Sequence, residues 1–452
     1  MASDFTEFMK ELQGLSSSSS SSASAASLAP ASAASLETKK VKLLLVSTHT
    51  NQVNGYAKVA HHLLKELAKH SSWLDLVHFG TQRMVNADLG RPYPSTVRAI
   101  DGSAQEKEKG IGFAFSELPA TLQAEKPDIV LLYNDLSVLC TYIESIRSAC
   151  NPRPFKVWAY LDLSYPYPPQ PMIDILNRDV ERIFCFTKGW KEHLKSNGAT
   201  RPVDVLPHAV DATLYRPITR EVARQTLGLP KDVFLYTSLN KNIPRKRLDL
   251  LIMAFTRLMV RYPTKPLFLL IVADKGDRGG YSLFDIFARE IKIHQASVDQ
   301  FGNRLLITHR DTCYKDEDIN LLYNCGDVHV SCAEGEGFGL CSFESMSLGI
   351  PQIVPEANGY VEYVKQEHAL LVPAKHRYYL AQAHHAVTGE ASVVDPEDVA
   401  KAMETYALQD ELRILHGKKG KEYIASSPSF SSWEQAISPL VRRLRQVADE
   451  ED

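Results

Sequence analysis

Residues 331–344 read Ser-Cys-Ala-Glu-Gly-Glu-Gly-Phe-Gly-Leu-Cys-Ser-Phe-Glu and form the most informative stretch of the chain. It follows an apolar run and leads into a helical pattern that includes Phe343, Met346 and Leu348. Its three glycines allow close approach of another backbone or a ligand, and the free N–H groups at the start of a helix favour an anion such as phosphate. The stretch therefore predicts a strand-to-helix turn with a phosphate-type ligand.

Apolar runs alternate with helical patterns on both sides of this turn, in two series. The first series comprises Leu43–Ser47, Leu74–Phe79, Ile129–Tyr133, Val157–Leu161, Ile183–Phe186 and Val203–Leu206. The second comprises Val233–Ser238, Leu267–Ala273, Leu305–Thr308, Val328–Ser331, Gln352–Val354 and Leu370–Val372. Continuous apolar runs separated by helices indicate parallel strands that are covered on both faces. We therefore expect an α/β protein with two doubly wound domains, whose strand ends face a cleft for two substrates.

The composition narrows the class of protein. With 452 residues, 44% of them apolar and 23% charged, the chain should form two or three domains with sizeable cores. A net charge of −3 gives no global field for binding nucleic acid. Seven scattered cysteines without a Cys-x-x-Cys pair indicate reduced thiols, and the longest apolar run is too short to span a membrane. We expect a cytoplasmic protein.

The chain begins with a low-complexity tail, residues 1–38. Ser16–Ser22 are consecutive serines, and alanine and serine dominate up to Leu36, which predicts a flexible tether. Before the tether, apolar residues recur at helical spacing: Phe5, Phe8, Met9, Leu12 and Leu15. They predict a short amphipathic helix within residues 5–15 for a protein partner or peripheral membrane contact, and the alternative is a helical terminus without a partner.

The remaining chain divides at a segment with prolines at both ends, Pro207 to Pro217. We predict an N-terminal domain over residues 39–212 and a C-terminal domain over residues 213–428. Residues 429–452 are predicted to form a helix with an acidic end that packs back on the N-terminal domain.

A basic loop follows the first strand of the second series. Its cations are Lys241, Arg245, Lys246 and Arg247. They suit a diphosphate, whose departure as a leaving group requires positive charge, and the alternative is a solvated basic turn. Glu336 and Glu344 in the glycine-rich stretch are acceptors for hydroxyl groups, although Glu344 could instead be a first-turn residue matched to the helix dipole.

Three of these elements together resemble the family-4 retaining glycosyltransferases. They are the Glu-x7-Glu element from Glu336 to Glu344, which begins with Glu-Gly-Phe-Gly-Leu, then Lys-Asn-x-x-Arg-Lys at 241–246, and Leu-Pro-His-Ala-Val-Asp at 206–211. The resemblance implies the GT-B architecture of two Rossmann-like domains. It also implies transfer of a sugar, with retention of configuration, from a nucleotide-diphosphate sugar to an acceptor hydroxyl of a carbohydrate, glycolipid or glycoprotein.

The resemblance further implies roles for residues of the C-terminal domain. Glu336 would contact sugar hydroxyls, Glu344 the ribose, and Lys241 and Lys246 the phosphates, with Lys241 standing where an arginine is usual. Phe338, Gly339 and Leu340 would contribute backbone N–H groups near the sugar and diphosphate. Arg245 of the basic loop and Cys341 at the helix start complete the predicted donor-binding residues. The base would lie at Arg310–Tyr314.

In the N-terminal domain, the loop at residues 47–56 resembles the family's glycine-containing loop, with Gly55 near the donor phosphate. The family often has a His-Asp pair after its fourth strand, where this chain reads Tyr160-Leu161-Asp162, so Asp162 is a candidate on the acceptor side. His208 is a second candidate on that side, although we favour a structural role for both His208 and His309.

No metal site or cofactor is expected. The acidic triplet Asp316-Glu317-Asp318 precedes a helical pattern and suits a helix N-terminus, and the family resemblance implies a metal-independent reaction. The competing functions are a nucleotide-sugar epimerase, a hydrolase, and a non-catalytic scaffold that binds a nucleotide sugar.

Overall fold

A computed structural model describes residues 40–86, 88–106, 112–273, 280–308, 313–380 and 388–451 of the chain. The predicted tail, with its tether and amphipathic helix, lies outside the described residues. No helix in the described part of the chain is long and apolar enough to cross a membrane.

The N-terminal domain contains a seven-stranded parallel sheet in the order β3-β2-β1-β4-β5-β6-β7. Its strands are β1 (Val41–Thr48), β2 (Leu74–Thr81), β3 (Val97–Asp101), β4 (Ile129–Asp135), β5 (Lys156–Asp162), β6 (Arg182–Cys185) and β7 (Val203–Val205). The central strands are almost completely buried because helices cover both faces of the sheet. The helices are α1 (Gly55–Leu67), α2 (Gly102–Gln105), α3 (Leu118–Glu125), α4 (Leu136–Ala149), α5 (Gln170–Asp179) and α6 (Lys188–Ser196).

The C-terminal domain contains a six-stranded parallel sheet in the order β10-β9-β8-β11-β12-β13, and a hairpin of β14 and β15 follows it. The strands are β8 (Phe234–Leu239), β9 (Leu267–Val272), β10 (Leu305–Ile307), β11 (Val328–Val330), β12 (Gln352–Pro355), β13 (Leu370–Val372), β14 (Ala374–Tyr379) and β15 (Glu390–Val394). The helices are α7 (Arg220–Thr226), α8 (Leu248–Arg261), α9 (Leu283–Ile293), α10 (Val298–Phe301), α11 (Asp316–Asn324), α12 (Leu340–Ser347), α13 (Pro396–Leu408) and α14 (Asp410–Ser426). The prediction of two doubly wound domains is confirmed.

The chain ends with three helices, α15 (Pro428–Ser431), α16 (Trp433–Ala436) and α17 (Ser438–Glu451). They lie against the N-terminal sheet. Trp433 stacks on His62 of α1 with ring centroids 4.8 Å apart, and Arg443 donates to Asp204 across 3.1 Å. Leu440 of α17 is completely buried, so the chain crosses back to the first domain after completing the second.

Strand β3 has no counterpart among the strands predicted from the sequence, and this changes the number of the strand that ends at Asp162. The strand reads Val-Arg-Ala-Ile-Asp, and only Val97 in it is buried, so it lacks a continuous apolar run. With β3 included, the fourth strand is β4, and its end is Asn134-Asp135. The prediction that Asp162 follows the fourth strand was therefore wrong, because Asp162 ends the fifth.

Candidate active site

A cleft of about 560 Å³ lies between the two domains at the carboxyl ends of the central strands. Residues of both domains line it. Among the residues proposed from the sequence, the cleft is lined by Gly55, Asp162, His208, Lys241, Arg245, Lys246, Glu336, Phe338, Gly339, Leu340 and Cys341. The structure thus brings together residues that are up to 286 positions apart, from Gly55 to Cys341.

The glycine-rich stretch adopts a turn that aims the N-terminus of α12 at the cleft. Gly339 precedes the helix with φ +88°, a left-handed conformation that favours glycine, and a Cβ there would lie 2.5 Å from the Tyr360 ring. Leu340 and Cys341 open the helix. Gly55 opens α1 on the opposite side, and its missing side chain leaves room for Leu340, because a Cβ at 55 would lie 3.1 Å from Leu340 Cδ1.

Glu336 is bound by two cations of the basic loop. Lys246 Nζ donates to Glu336 Oε1, and Arg245 Nη1 lies 3.4 Å from Glu336 Oε2. Arg245 also donates to the carbonyl of Gly335 across 2.6 Å. Burial opposes ionisation of Glu336, but the two cations outweigh it and lower the pKa of this carboxyl below its usual value. The cluster therefore holds a carboxylate and two cations in contact inside the cleft.

Lys246 and Arg247 of the basic loop lie in different surroundings. Burial and the neighbouring Arg245 lower the pKa of Lys246, although Glu336 opposes this. Arg247 precedes α8 with φ +47° and does not line the cleft; it pairs instead with Asp249 at 2.9 Å and Glu334 at 3.1 Å. The prediction that Arg247 suits the same diphosphate as the other three cations is therefore wrong.

Glu344 is buried behind the cleft wall, and a lysine of the other domain contacts it. Lys58 Nζ, on α1, lies 2.8 Å and 3.0 Å from the two carboxylate oxygens of Glu344. The Tyr323 hydroxyl donates to Glu344 Oε2 across 2.7 Å, and Lys58 also donates to the Tyr215 hydroxyl across 2.6 Å. Glu344 is therefore held on both sides by protein donors.

A second ion pair crosses the cleft beside the first. The Arg91 guanidinium donates to the two oxygens of Asp316 across 2.8 Å and 2.7 Å. Asp316 begins α11, so the acidic triplet lies at a helix N-terminus as predicted, and Lys58 Nζ lies 3.9 Å from Asp316 Oδ1. Burial raises the pKa of Asp316, but hydrogen bonds from Arg91 and the charge of Lys58 outweigh it, and the pKa falls to about 2.

Asp162 lies beside a second carboxylate, Asp135. The two residues are register partners at the ends of β5 and β4, and the Tyr56 hydroxyl donates to Asp162 Oδ2 across 2.8 Å. Asp162 Oδ1 is buried without a hydrogen-bond partner in the described structure. Burial and the charge of Asp135 raise the pKa of Asp162 to about 7, although Arg245 and Tyr56 oppose the shift.

His208 lies deep in the cleft wall. It is 2% exposed and packs between Phe186 and Phe338, with ring centroids 4.3 Å and 4.7 Å away, and neither imidazole nitrogen has a hydrogen-bond partner in the described structure. Burial, together with His62, lowers the pKa of His208 to about 3, so its ring is neutral at physiological pH.

The proposed base-binding loop is described only in part. Cys313 and Tyr314 are described, and Tyr314 lines the cleft, while residues 309–312, with His309, lie outside the described residues.

Lys58, Arg91 and Asp135 line the cleft and were not among the residues proposed from the sequence, and Tyr56 was included only as the last residue of the loop at 47–56. Two had a signal. Asp135 directly follows an apolar strand run, where ligands of parallel sheets bind, and Lys58 is a cation between buried Ala57 and Val59. Arg91 lies in a loop, and its position gave no such signal.

Comparison with known proteins finds a family match within the C-terminal domain. Residues 231–390 match the family model of the glycosyl transferases group 1. The D-inositol 3-phosphate glycosyltransferase of Rhodococcus opacus is 28% identical over 175 residues, which cover 39% of this chain and 37% of that protein. The aligned part is thus well under half of this relative.

Solved structures match nearly the whole chain. Sucrose-phosphate synthase from Thermosynechococcus elongatus superposes with a TM-score of 0.67 at 16% identity, covering 90% of this chain and 99% of the other. HepE of Anabaena, solved in complex with UDP and glucose, superposes with a TM-score of 0.63 at 14% identity, covering 90% and 100%. At these identities the likeness concerns the fold. Residues 231–390 therefore match the family model of the glycosyl transferases group 1, and the chain as a whole has the GT-B fold of two Rossmann-like domains.

Proposed function

We propose that this protein is a retaining glycosyltransferase, which moves a sugar from a nucleotide-diphosphate sugar to an acceptor hydroxyl. The observation that carries the proposal is the ion cluster in which Arg245 and Lys246 contact Glu336 inside the cleft. The carboxylate can accept hydrogen bonds from sugar hydroxyls, and the two cations can bind a diphosphate. A non-catalytic scaffold has no need of such a cluster, because three buried charges cost stability.

In the proposed reaction, the bond between the anomeric carbon and the diphosphate oxygen breaks. The acceptor oxygen bonds to that carbon on the same face, and the acceptor proton goes to the leaving diphosphate. Negative charge grows on the diphosphate, and Lys241, Arg245, Lys246 and the N-terminal N–H groups of α12 would stabilise it. This positive charge could do the work of a divalent cation, so we propose a reaction without metal or cofactor.

The two glutamates would divide the donor between them. Glu336 would bind sugar hydroxyls, because it lies in the loop that lines the cleft. Glu344 lies about one helical turn further along α12, behind the wall, and would bind the ribose after Lys58 shares or releases its oxygens. A covalent intermediate on Glu344 is not part of this proposal, since Glu344 does not line the cleft space between the domains.

The relatives guide the choice of substrates for a first assay. HepE was solved with UDP and glucose, so a UDP-hexose is the donor to test first. The relative from Rhodococcus is named for D-inositol 3-phosphate, which supports a polyol or carbohydrate acceptor. Glycolipids and glycoproteins complete the acceptor panel.

The experiment measures nucleoside diphosphate release by the full-length chain, with and without each acceptor, in the presence of EDTA. Lys246→Ala should lower kcat by about 10²–10³, as loss of one preorganised donor does at comparable sites. Arg257→Ala is the control, because this cation of α8 pairs with Glu397 on the surface and does not line the cleft.

Three results would contradict the proposal. Wild-type kcat in a folded Lys246→Ala variant would remove the cluster from the reaction. An inverted anomeric centre in the product, read by NMR, would refute retention. Release of free sugar or its epimer at the same rate without an acceptor would point to a hydrolase or an epimerase.

A further inference from the structure

Four carbonyl groups of the glycine-rich turn are held by donors from different parts of the fold. The pairs are Arg245 with Gly335 at 2.6 Å, the Gly359 N–H with Glu336 at 2.9 Å, the Trp190 indole with Gly337 at 2.7 Å, and the Tyr363 hydroxyl with Gly339 at 2.8 Å. Buried carbonyls need such partners. Trp190 differs from the other three donors because it belongs to α6 of the N-terminal domain.

Each of these bonds also fixes the direction of the next N–H group along the chain. In a planar trans peptide, the carbonyl of one residue and the N–H of the following residue point in opposite directions. A Gly337 carbonyl that points at Trp190 therefore turns the Phe338 N–H away from α6. Phe338 lines the cleft, and its N–H donates to no backbone carbonyl within the described part of the chain. This N–H can therefore donate to a ligand.

The Trp190 side chain is itself fixed at the boundary between the domains. It lies in the first turn of α6, where the Thr187 hydroxyl accepts from the Trp190 backbone N–H across 3.0 Å. The side chain is 3% exposed, and its ring lies 5.5 Å from the His193 ring between centroids. The same helix makes a second contact across the boundary, because the Lys188 N–H donates to the Glu362 carboxylate across 3.2 Å. The indole is therefore a preorganised donor.

The N-terminal domain confines Gly337 from a second direction. A Cβ at position 337 would lie 1.7 Å from Asp162 Oδ1, so the end of β5 packs directly on the backbone of the turn. The Trp190 indole and the Asp162 carboxylate thus hold the same residue from two sides. N–H groups stabilise developing negative charge best when they are held in place beforehand, because they then need no reorganisation during the reaction.

We propose that Trp190 is a positioning residue for sugar transfer, through which the N-terminal domain aims the Phe338 N–H at the donor. The inference rests on the proposed glycosyltransferase function and adds a residue that acts through the turn, since Trp190 itself does not line the cleft. Negative charge on the diphosphate grows as its bond to the sugar breaks. A misdirected N–H should therefore impair the transition state more than the bound donor, and lower kcat more than it raises the donor KM.

The test removes the indole N–H and keeps the ring. Trp190→benzothienylalanine places sulfur where the N–H stands and preserves the two fused rings, and Trp190→Phe is a second, simpler variant. With a UDP-hexose and an acceptor that the wild type uses, kcat should fall by roughly tenfold to a hundredfold, since an oriented N–H is misdirected but not lost. The donor KM should change by less than about threefold, because binding of the donor is largely retained.

Trp73→Phe is the control, because this half-buried tryptophan lies under Arg445, 5.2 Å from its ring centroid, and does not line the cleft. Circular dichroism establishes that each variant is folded. A wild-type kcat in the benzothienylalanine enzyme would overturn the positioning role, and so would a donor KM that rises as much as kcat falls. Either result leaves the glycosyltransferase proposal standing, because the wild type still transfers sugar. If the wild-type chain consumes no nucleotide sugar, both proposals fail together.

Discussion

Lys58 Nζ lies 2.8 Å from Glu344 Oε1, and this ion pair joins the first helix of the N-terminal domain to the helix behind the glycine-rich turn. Glu344 is buried, with 3% of its side-chain surface exposed, and Lys58 is largely covered, with 12% exposed. Arg91 and Asp316 form a second pair across the same cleft at 2.7 Å. The two domains are thus joined by opposite charges beside the proposed nucleotide site.

Lys58→Met should lower the free energy of unfolding by about 3 kcal/mol, because it leaves Glu344 charged and buried without its partner. The double variant Lys58→Met/Glu344→Gln should be more stable than Lys58→Met alone, since no unpaired charge remains. Urea denaturation of the wild type, both single variants and the double variant measures this coupling. If the double variant is no more stable than Lys58→Met, the pair does not hold the domains in the way described.

Glu344→Gln and Glu336→Gln should affect different steps of the reaction, nucleotide binding in the first variant and sugar transfer in the second. Glu344→Gln should weaken binding of UDP without a sugar, because its proposed contact is the ribose, while Glu336→Gln should leave UDP binding intact and lower kcat. Calorimetric titration with UDP, followed by steady-state kinetics, separates the two effects, and Glu317→Gln on the exposed start of α11 is the control. Equal loss of UDP affinity in both variants would show that the division of roles is wrong.

The sequence predicted the features that depend on local pattern. Buried parallel strands are continuous apolar runs, so twelve of the strands were recognised, and the glycine-rich turn was recognised by its three glycines before a helical pattern. Strand β3 was not recognised, because Arg98 and Ala99 in it are exposed. The hairpin strand β14 was missed for the same reason, since almost all of its residues are exposed.

The cross-domain contacts could not be predicted in this way. Lys58 and Glu344 are separated by 286 residues, and Arg91 and Asp316 by 225, so no local spacing relates them. The same holds for Asp135 and Asp162, which become neighbours only through the pairing of β4 with β5. Such pairs depend on which elements are adjacent in the fold. An apolar run in the sequence identifies a strand, but it does not show which strands lie beside it in the sheet.

Two carboxylates of the cleft should make the stability of the protein change with pH in opposite directions. The pKa of Asp162 is raised to about 7 by burial and Asp135, so its cost to folding is absent below the unfolded pKa of about 4 and complete above pH 7. Asp162→Asn should therefore stabilise the protein at pH 8 and have little effect near pH 4. Thermal unfolding at pH 4, 6 and 8 measures the difference in melting temperature from the wild type.

Asp316 provides the matched comparison. Although burial opposes the shift, Arg91 and Lys58 lower its pKa to about 2, so its stabilisation is present above the unfolded pKa and is lost as the pH falls toward 2. Asp316→Asn should destabilise the protein at pH 8 and progressively less in acid. A stabilising Asp316→Asn, or an Asp162→Asn effect that does not grow with pH, would contradict the assigned environments.

Gly337 should tolerate no side chain, because Asp162 occupies the space. A Cβ at this position would lie 1.7 Å from Asp162 Oδ1, far inside van der Waals contact, and the Gly337 carbonyl is held by the Trp190 indole N–H across 2.7 Å, so the backbone cannot easily move away. Gly337→Ala should lower the melting temperature and abolish transfer, whereas Gly189→Ala should be neutral, since its Cβ would meet only Thr187 Oγ1 at 3.8 Å. Gly337→Ala/Asp162→Ala should recover the melting temperature but not the acceptor KM, because the clash is removed together with the carboxylate that the family resemblance places on the acceptor side. Recovery of neither quantity would mean that the clash with Asp162 is not what makes glycine necessary at this position.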